Sequence, residues 1–306
     1  MIKNAIFRIE NMSMLHDVMR VSPPKHPLIS VVDFSTLDQE VVAAMNNVKV
    51  ASAFYGITLK QLQKGSLKYG RNRLDFQEGS LLFSAPDQIS VFENPRFSES
   101  IYNWGLFFHP DLLHGTPLSS KISEYSFWKY EVTEALHLSE DEKKSLSTII
   151  DSIQKEINLP IDKYTKNVLV VAIELLLNHC IRYYDRQFVT REKFNKTVVD
   201  AIHDFLAAYF RSNRGEEEGL PTVLQCAEHV NLSPNYLSDL LRRETGKTTQ
   251  EHIHFHLLEI AKDRLLGSSN SVKEIAHSLG FEYAHYFSSL FKKKVGVSPS
   301  EFRNFN

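Results

Sequence analysis

The sequence predicts an α+β protein: an N-terminal antiparallel β-barrel accompanied by helices of a dimerising type, and a C-terminal all-α domain holding two helix-turn-helix motifs. Three observations predict it. Short strand-like runs separated by turn residues fill the region from about Val48 to Phe108. A helical period begins at Ser139. The last hundred or so residues contain a repeat of about 50 residues.

A chain of 306 residues with 42% hydrophobic content can bury two ordinary cores. The opening residues, MIKNAIFRIENM, scatter Lys3, Arg8 and Glu10 among apolar positions, and no later run reaches roughly 18 uncharged apolar residues, so neither a leader nor a membrane span is expected and the cytoplasm is the expected location. Cys180 and Cys226 lie in separate helical patterns without a CxxC partner, which fits reduced, buried thiols and no cysteine zinc site.

Within the strand region, FYGITLK, SLKYG, RLDFQ, SLLFSAP and ISVFE are divided by Gly65, Gly70, Gly79 and Pro86. Strands at this spacing with no helix between them indicate an antiparallel barrel or sandwich, assigned to residues 1–138. Ser139 and Glu142 then have the spacing of a capping box, and Leu146, Ile149, Ile150, Ile153 and Ile157 recur along one stripe. Pro160 divides this helix from a second, about Asp162 to Tyr184, whose VLVVAIELLL is apolar on more than one face. This hairpin, residues 139–190, is expected to dimerise through Leu146, Ile149 and Ile153. A third helix, about Lys196 to Arg211, leads into RSNRGEEEGLP, which reads as a surface loop within a domain covering 195–306.

The repeat is the most informative feature. YLSDLLRRETG (Tyr236 to Gly246) and YFSSLFKKKVG (Tyr286 to Gly296) match in character at most positions. Upstream, Val223, Leu224, Ala227 and Val230 are echoed by Val272, Ile275, Ala276 and Leu279. The small Ala227 and Ala276 let two helices cross closely, and Asn231 and Gly280 follow at the turn as residues that tolerate a left-handed backbone. The result is helix, tight turn, helix, at 222–245 and again at 271–295. Ser233 can cap the second helix of the first copy and Pro234 suits its first turn. With Leu237, Leu240 and Leu241 buried, Asn235, Ser238, Asp239 and Arg242 face outward. With Phe287, Leu290 and Phe291 buried, Ala284, His285, Ser288, Ser289 and Lys292 do the same. Short polar groups at the start of a helix and basic ones at its end suit base edges and phosphates respectively. The linking stretch, about Thr249 to Leu266, spans about 27 Å, close to the roughly 34 Å between successive major grooves. Charge does not reveal this, because the residues from Asn195 onward hold 13 Lys and Arg against 14 Asp and Glu.

These residues resemble the AraC/XylS family of transcription regulators, and IAHSLGFEYAHYFSSLFKKKVGVSPSEFR follows that family's second-motif signature almost throughout. The resemblance implies a seven-helix domain with base-reading positions Asn235, Ser238, Asp239, His285, Ser288 and Ser289, and backbone contacts from Ser233, Arg242, Lys292 and Lys293. Two departures are Asp239, where a basic or neutral residue is common, and Leu257, where arginine is frequent on the linking helix. An aspartate accepts a hydrogen bond from cytosine but repels phosphate, so the first motif is expected to bind more weakly. The N-terminal half looks like the cupin-like sensor domain of such regulators. GSLKYGRNRLDFQEG lacks the paired histidines of metal-dependent cupins, so no metal or cofactor is expected. Tyr55, Tyr69, Arg71 and His109 are the candidate effector contacts, with Arg73, Phe83 and Trp104 nearby in sequence. The expected partners are promoter or operator double-stranded DNA, a second copy of the chain, RNA polymerase, and a small-molecule effector, with no membrane. The competing class is a cupin-like enzyme with an appended DNA-binding unit. His252, His254 and His256 suggest a metal site, but a third ligand for the His252 and His256 pair is missing from the pattern.

Overall fold

The computed structural model describes residues 6–304 except 61, 70–71, 76–78, 98–102, 132–133 and 213; at 60, 62–69, 72–75, 92–97 and 192–193 it describes the backbone alone. The chain divides into two compact units, Met1–Thr190 and Arg191–Asn306, with the predicted helical hairpin part of the first.

The described strands of the first unit are β1 (Ile6–Ile9), β2 (Ile29–Asp33), β3 (Lys49–Ser52), β4 (Tyr55–Lys60), β5 (Leu62–Tyr69), β6 (Asn72–Asp75), β7 (Ser80–Ser84), β8 (Ser90–Phe97), β9 (Trp104–Phe108) and β10 (Leu136–His137). They form two five-stranded sheets, ordered β1-β3-β8-β5-β6 and β10-β7-β4-β9-β2. No ladder joins the two sheets among the described residues, so the single closed barrel expected from the strand spacing is not what forms. Nor is the pairing wholly antiparallel: β1 runs parallel to β3, Ile6 opposite Lys49. The intervening helices α1 (Met12–Met19) and α2 (Gln39–Ala44) provide the long connection that a parallel pair requires.

Ile57, Leu59, Leu81, Leu106 and Phe108 on the second sheet have almost no exposed surface. Their sheet is covered by 3-10 turns, one of which packs against a short helix α3 (Pro117–Lys121), and by α4 (Glu140–Asn158) and α5 (Thr165–Thr190). The capping box is formed as expected: Ser139 Oγ accepts from Glu142 N at 3.3 Å, and Glu142 Oε2 accepts from Ser139 N at 2.9 Å. The predicted stripe Leu146, Ile149, Ile150, Ile153 and Ile157 is buried. It packs on β2 and α5 of its own chain, and so Leu146, Ile149 and Ile153 are not available for dimerisation as the sequence suggested. Each such buried side chain stabilises the unit by about 1.5–3 kcal/mol. Trp104 donates to Ser147 at 3.0 Å, and Arg186 of α5 binds Glu142 through two hydrogen bonds of 2.7 and 3.0 Å. The first ties α4 to the sheet and the second ties the two helices together, while Arg186 also donates to His137 O of β10 at 2.6 Å.

The second unit contains α6 (Glu192–Arg211), α7 (Arg214–Glu218), α8 (Val223–His229), α9 (Pro234–Thr245), α10 (Thr249–Gly267), α11 (Val272–Ser278), α12 (Ala284–Val295) and α13 (Pro299–Asn304). Further capping boxes begin helices here, at Thr222 and Gln225, Thr248 and Glu251, Ser271 and Glu274, and Ser298 and Glu301. The acidic RSNRGEEEGLP stretch is not a simple loop. It forms α7, closed by Arg214 donating to Glu218 at 2.8 and 3.0 Å, and its Gly215 lies against the backbone of Ser278 and Leu279. A β-carbon added at Gly215 would sit 2.9 Å from the Ser278 carbonyl oxygen. A larger residue would push this helix off the second motif.

Asn231 (φ 55°) and Gly280 (φ 99°) both adopt the left-handed backbone expected of the two turns. They differ in surroundings, because a β-carbon at Gly280 would lie 2.5 Å from Gly219 C and 2.6 Å from its oxygen, both backbone atoms that cannot swing aside. Gly246, at φ 75° after α9, has nothing within 4 Å of that position. Gly246→Ala is therefore expected to lose about 1 kcal/mol, the left-handed strain alone. Gly280→Ala adds overpacking and is expected to lose about 3 kcal/mol. Denaturant midpoints of the two variants test the ranking, and equal losses would contradict it.

Candidate nucleic-acid interface

The two copies of the repeat build the site from equivalent pieces. In each, a short helix (α8 or α11) crosses a longer one (α9 or α12), with Ala227 and Ala276 fully buried where the helices approach. Leu237, Leu240 and Leu241 in α9, and Phe287 and Phe291 in α12, fill the interior as predicted; Leu290 is only half-buried. Arg264 of α10 fastens the arrangement by donating to Phe210 O at 3.0 Å and to Ser278 Oγ, so one guanidinium joins α6 and α11. The α10 helix, 19 residues long, extends about 28 Å between the copies.

The outward faces of the copies are unequal. On α9, Asn235, Ser238 and Asp239 are half-buried and Arg242 is exposed. Ser238 Oγ lies 3.0 Å from Thr249 Oγ1 of α10, a hydroxyl pair that holds Ser238 against the domain. Ser233 is 2% exposed and caps α9, accepting from Tyr236 N at 3.2 Å. Its burial removes it from the backbone contacts expected of it. On α12, His285, Ser289, Lys292 and Lys293 are exposed, with Lys294 beside them, and Ser288 and Ala284 are half-buried.

Sequence reasoning missed one feature of α12. Tyr236 and Tyr286 occupy the same position of the repeat, yet Tyr236 is 1% exposed and Tyr286 is 60% exposed. Tyr286 packs beside His285, ring centroids 4.1 Å apart, and 6.0 Å from the ring of Tyr283, also exposed. The aromatic cluster thus sits at the open start of α12. The pair of tyrosines in the aligned copies was visible in the sequence, but periodicity alone does not separate a position on the edge of a buried stripe from one inside it.

Basic ends of both helices converge near the start of α10. The Glu251 carboxyl is held below the usual range first by hydrogen bonds from Thr248 and then by the positive charges of Lys294, on α12, and Arg242, on α9. Lys292 acts in the same direction on Glu301, whose carboxyl is lowered first by hydrogen bonds from Ser298. In a unit without net positive charge, Arg242 and Lys294 from two different helices thus act on one carboxylate.

A family model described as a helix-turn-helix domain matches residues 226–304. A regulator of Escherichia coli K12, YijO, described as an uncharacterized HTH-type transcriptional regulator, is 27% identical over 186 residues, covering 61% of this chain and 62% of that one. The arabinose operon regulatory protein of Salmonella typhimurium is 26% identical over 228 residues, 74% of each chain. The xylose operon regulatory protein of Escherichia coli K12 is 33% identical over 116 residues, 38% of this chain and 28% of that one. The C-terminal unit is an AraC/XylS-type helix-turn-helix domain. The chain spans less than two thirds of the length of the E. coli regulator, and no described helix is long and apolar enough to cross a membrane.

Within the AraC/XylS-type domain the histidines of α10 have other duties than the metal binding their spacing suggests. His254 points to Gln250, 3.0 Å away, while His256 Nε2 lies 3.0 Å from His203 Nδ1. Among the described residues no group of three potential ligands is arranged to hold a metal. Burial pushes both thiols, Cys180 and Cys226, upward, Cys226 to about 12, so neither is a ready nucleophile.

Of the candidate effector residues, the side chains of Tyr55 and His109 are described, and each has a partner in the fold. Tyr55 stacks on Phe108 (5.3 Å) and packs at a tilt against Trp128 (4.8 Å), whereas His109 caps a 3-10 turn by accepting from Asp111 N at 3.2 Å. Arg71 and the side chains of Tyr69 and Arg73 lie outside the described residues.

His252 is 3% exposed. The Thr245 hydroxyl donates to Leu241 O at 2.7 Å, so His252 Nε2, also 2.7 Å from that hydroxyl, is the donor to it, and the buried Nδ1 is left bare with no partner. The ring must be neutral. Burial, then the charges of His203, Lys247 and His256, push its pKa down from 6.5 to about 4, against the weaker raising effect of Glu251. A folded-state value below the unfolded one means that protons favour unfolding. Stability of the domain is expected to be full above pH about 6.5 and to fall as pH drops towards about 4. Melting midpoints across this window test it; His252→Gln should flatten the slope, and an unchanged slope in that variant would refute the assignment.

Proposed function

We propose that the chain is a sequence-specific transcription regulator whose α9 and α12 enter successive major grooves of double-stranded DNA. The observation that carries this reading is the duplicated left-handed turn and following helix, with Arg242 and Lys294 of the two helices acting on one carboxylate. The relatives above are named as regulators rather than enzymes, which supports binding over catalysis. His285, Ser288 and Ser289 are the base readers of the second motif, and Asn235, Ser238 and Asp239 those of the first. Tyr283 and Tyr286 add apolar edges suited to thymine methyl groups, while Arg242, Lys292 and Lys293 take phosphates. Exposed polar atoms and aromatics are concentrated on α12, so the second motif is the main anchor.

Selection of bound sites from random DNA with the full chain should enrich two sequence blocks about one helical turn, roughly 10 base pairs, apart. No enrichment would overturn the reading. Lys292→Ala is expected to weaken binding to all sequences alike and reduce the salt slope by about 1, whereas His285→Ala should relax preference at one base position. Equal losses for both variants across all sequences would remove the assignment of roles.

The regulator is a homodimer in this reading, and the seam is on α5 instead of α4. Val168, Val171 and Leu175 of α5 are exposed at intervals of three and four residues, and Ile161 and Tyr164, in the segment just before the helix, are exposed as well. That is the spacing of a coiled-coil seam, and a second copy of the same helix supplies its match. Val171→Glu is expected to convert a dimer into a monomer at micromolar concentration without loss of helix content; a monomeric wild type would count against the seam. The two sheets of the N-terminal unit support a sensor role of the cupin-like kind, acting on α5 and through it on promoter choice and contact with RNA polymerase.

A further inference from the structure

A pair of hydroxyl groups where α9 meets α10 decides what one side chain of the first motif can recognise. Ser238 of α9 is half-buried, whereas Thr249, the first residue of α10, has no exposed surface. Their oxygens lie 3.0 Å apart, so one hydroxyl donates to the other. Among the described residues neither group has a second hydrogen-bond partner. The two directions differ in cost. With Ser238 as donor, the Thr249 hydrogen would be buried with no acceptor, which is strongly unfavourable. With Thr249 as donor, the Ser238 hydrogen is directed away from Thr249, and the exposed part of Ser238 lets water take it. Thr249 is therefore the donor and Ser238 the acceptor.

A serine inside a helix has another choice, which is to donate to the carbonyl four residues back. Thr245, on the same helix, does this by donating to Leu241 O at 2.7 Å. The equivalent acceptor for Ser238 is Pro234 O, and among the described residues that bond is not made. Ser238 is thus held in a rotamer that receives a hydrogen from Thr249 and keeps its own hydrogen without an acceptor inside the domain. Accepting one bond also makes the hydroxyl a better donor. In a groove from which water is expelled, that hydrogen needs an acceptor on the DNA. Guanine offers N7 and O6 and thymine offers O4, while the amino group of cytosine brings a further hydrogen and leaves that of Ser238 unpaired.

We propose that Thr249, from inside the domain, sets Ser238 as a hydrogen-bond donor and so makes the first motif favour guanine or thymine over cytosine at one base position. Thr249 is a positioning residue and touches no DNA in this assignment. The proposal rests on the regulator reading above, in which Ser238 faces a base edge.

Sites are selected from random DNA with the full chain, and the position that Ser238 reads is the one at which Ser238→Ala loses its preference. There the wild type is expected to favour one orientation of a G·C pair over the other by at least about fivefold. The guanine of the favoured orientation is then replaced by deazaguanine lacking N7, or by thioguanine with sulfur in place of O6. One of the two analogues should remove most of the preference and leave Ser238→Ala binding unchanged. Thr249→Val and Thr249→Ala delete the hydroxyl with and without its volume and free Ser238 to bond Pro234 O. Both should reduce the preference to less than about twofold at this position, while the sequence block of the second motif stays enriched and reports a folded domain. Thr249→Ser keeps the donor and should keep the wild-type preference. Failure of the wild type to enrich any site would overturn the regulator reading itself. With sites enriched, the role of Thr249 alone is overturned by any of four results: no position altered in Ser238→Ala, a preference indifferent to both analogues, a full preference in a folded valine or alanine variant, or its loss in Thr249→Ser. The analogue comparison uses the wild type and so holds whatever the stability of the variants.

Discussion

A left-handed residue between two packed helices is the constraint on which the C-terminal unit depends. The chain must reverse within a few residues so that α8 crosses α9, and α11 crosses α12, at the depth set by Ala227 and Ala276. Asn231 achieves this with a side chain present; Gly280 cannot have one, because Gly219 occupies the space where it would be. That contact also explains α7. The one-turn helix and the glycines at 215 and 219 bring the segment before the first motif onto the turn of the second, so the two copies are coupled through a close backbone approach as well as through α10.

Polar bonds at helix ends do much of the remaining positioning. The boxes at Thr222, Thr248 and Ser271 satisfy backbone groups that would otherwise lack partners where α8, α10 and α11 begin. At the start of α10 the same device has an electrostatic consequence: the Glu251 carboxylate is drawn into the helix terminus, where it stands between the cations of α9 and α12 and limits their repulsion. Bulk charge therefore says little about where an anion would be attracted.

What the sequence made legible follows from which patterns have a strong local cause. The repeat, its turn residues, the buried leucines of α9 and the stripe of α4 were all readable, because a period of 3.6 and a residue that tolerates positive φ are local statements. The capping boxes of the second unit were equally present as Thr-x-x-Gln, Thr-x-x-Glu and Ser-x-x-Glu and are a signal that sequence reading left unused. Pairing of distant strands was not legible: nothing local tells β1 to lie parallel to β3, or the ten strands to divide into two sheets. The α4 stripe was correctly identified as apolar, but its partner was misassigned, since a hydrophobic stripe does not say whether its cover comes from the same chain. The evenly apolar character of α5 held the answer, one face being covered by α4 and the sheet and another left exposed.

The inequality of the two copies also reaches beyond Asp239, the residue that first suggested it. Ser238 is bound to Thr249, and Tyr236 has turned into the core, so the face of α9 is drawn into the domain. On α12 the equivalent tyrosine is outside, packed at a tilt beside His285, and the helix starts without a side-chain cap at Tyr283. Aligned sequences thus build two helices with similar cores and different surfaces. Duplication preserves the interior, where a change in volume is costly, and leaves the outer face free to diverge. Under the proposed reading of two sites by one chain, that division allows each copy its own recognition surface without altering the fold that presents it.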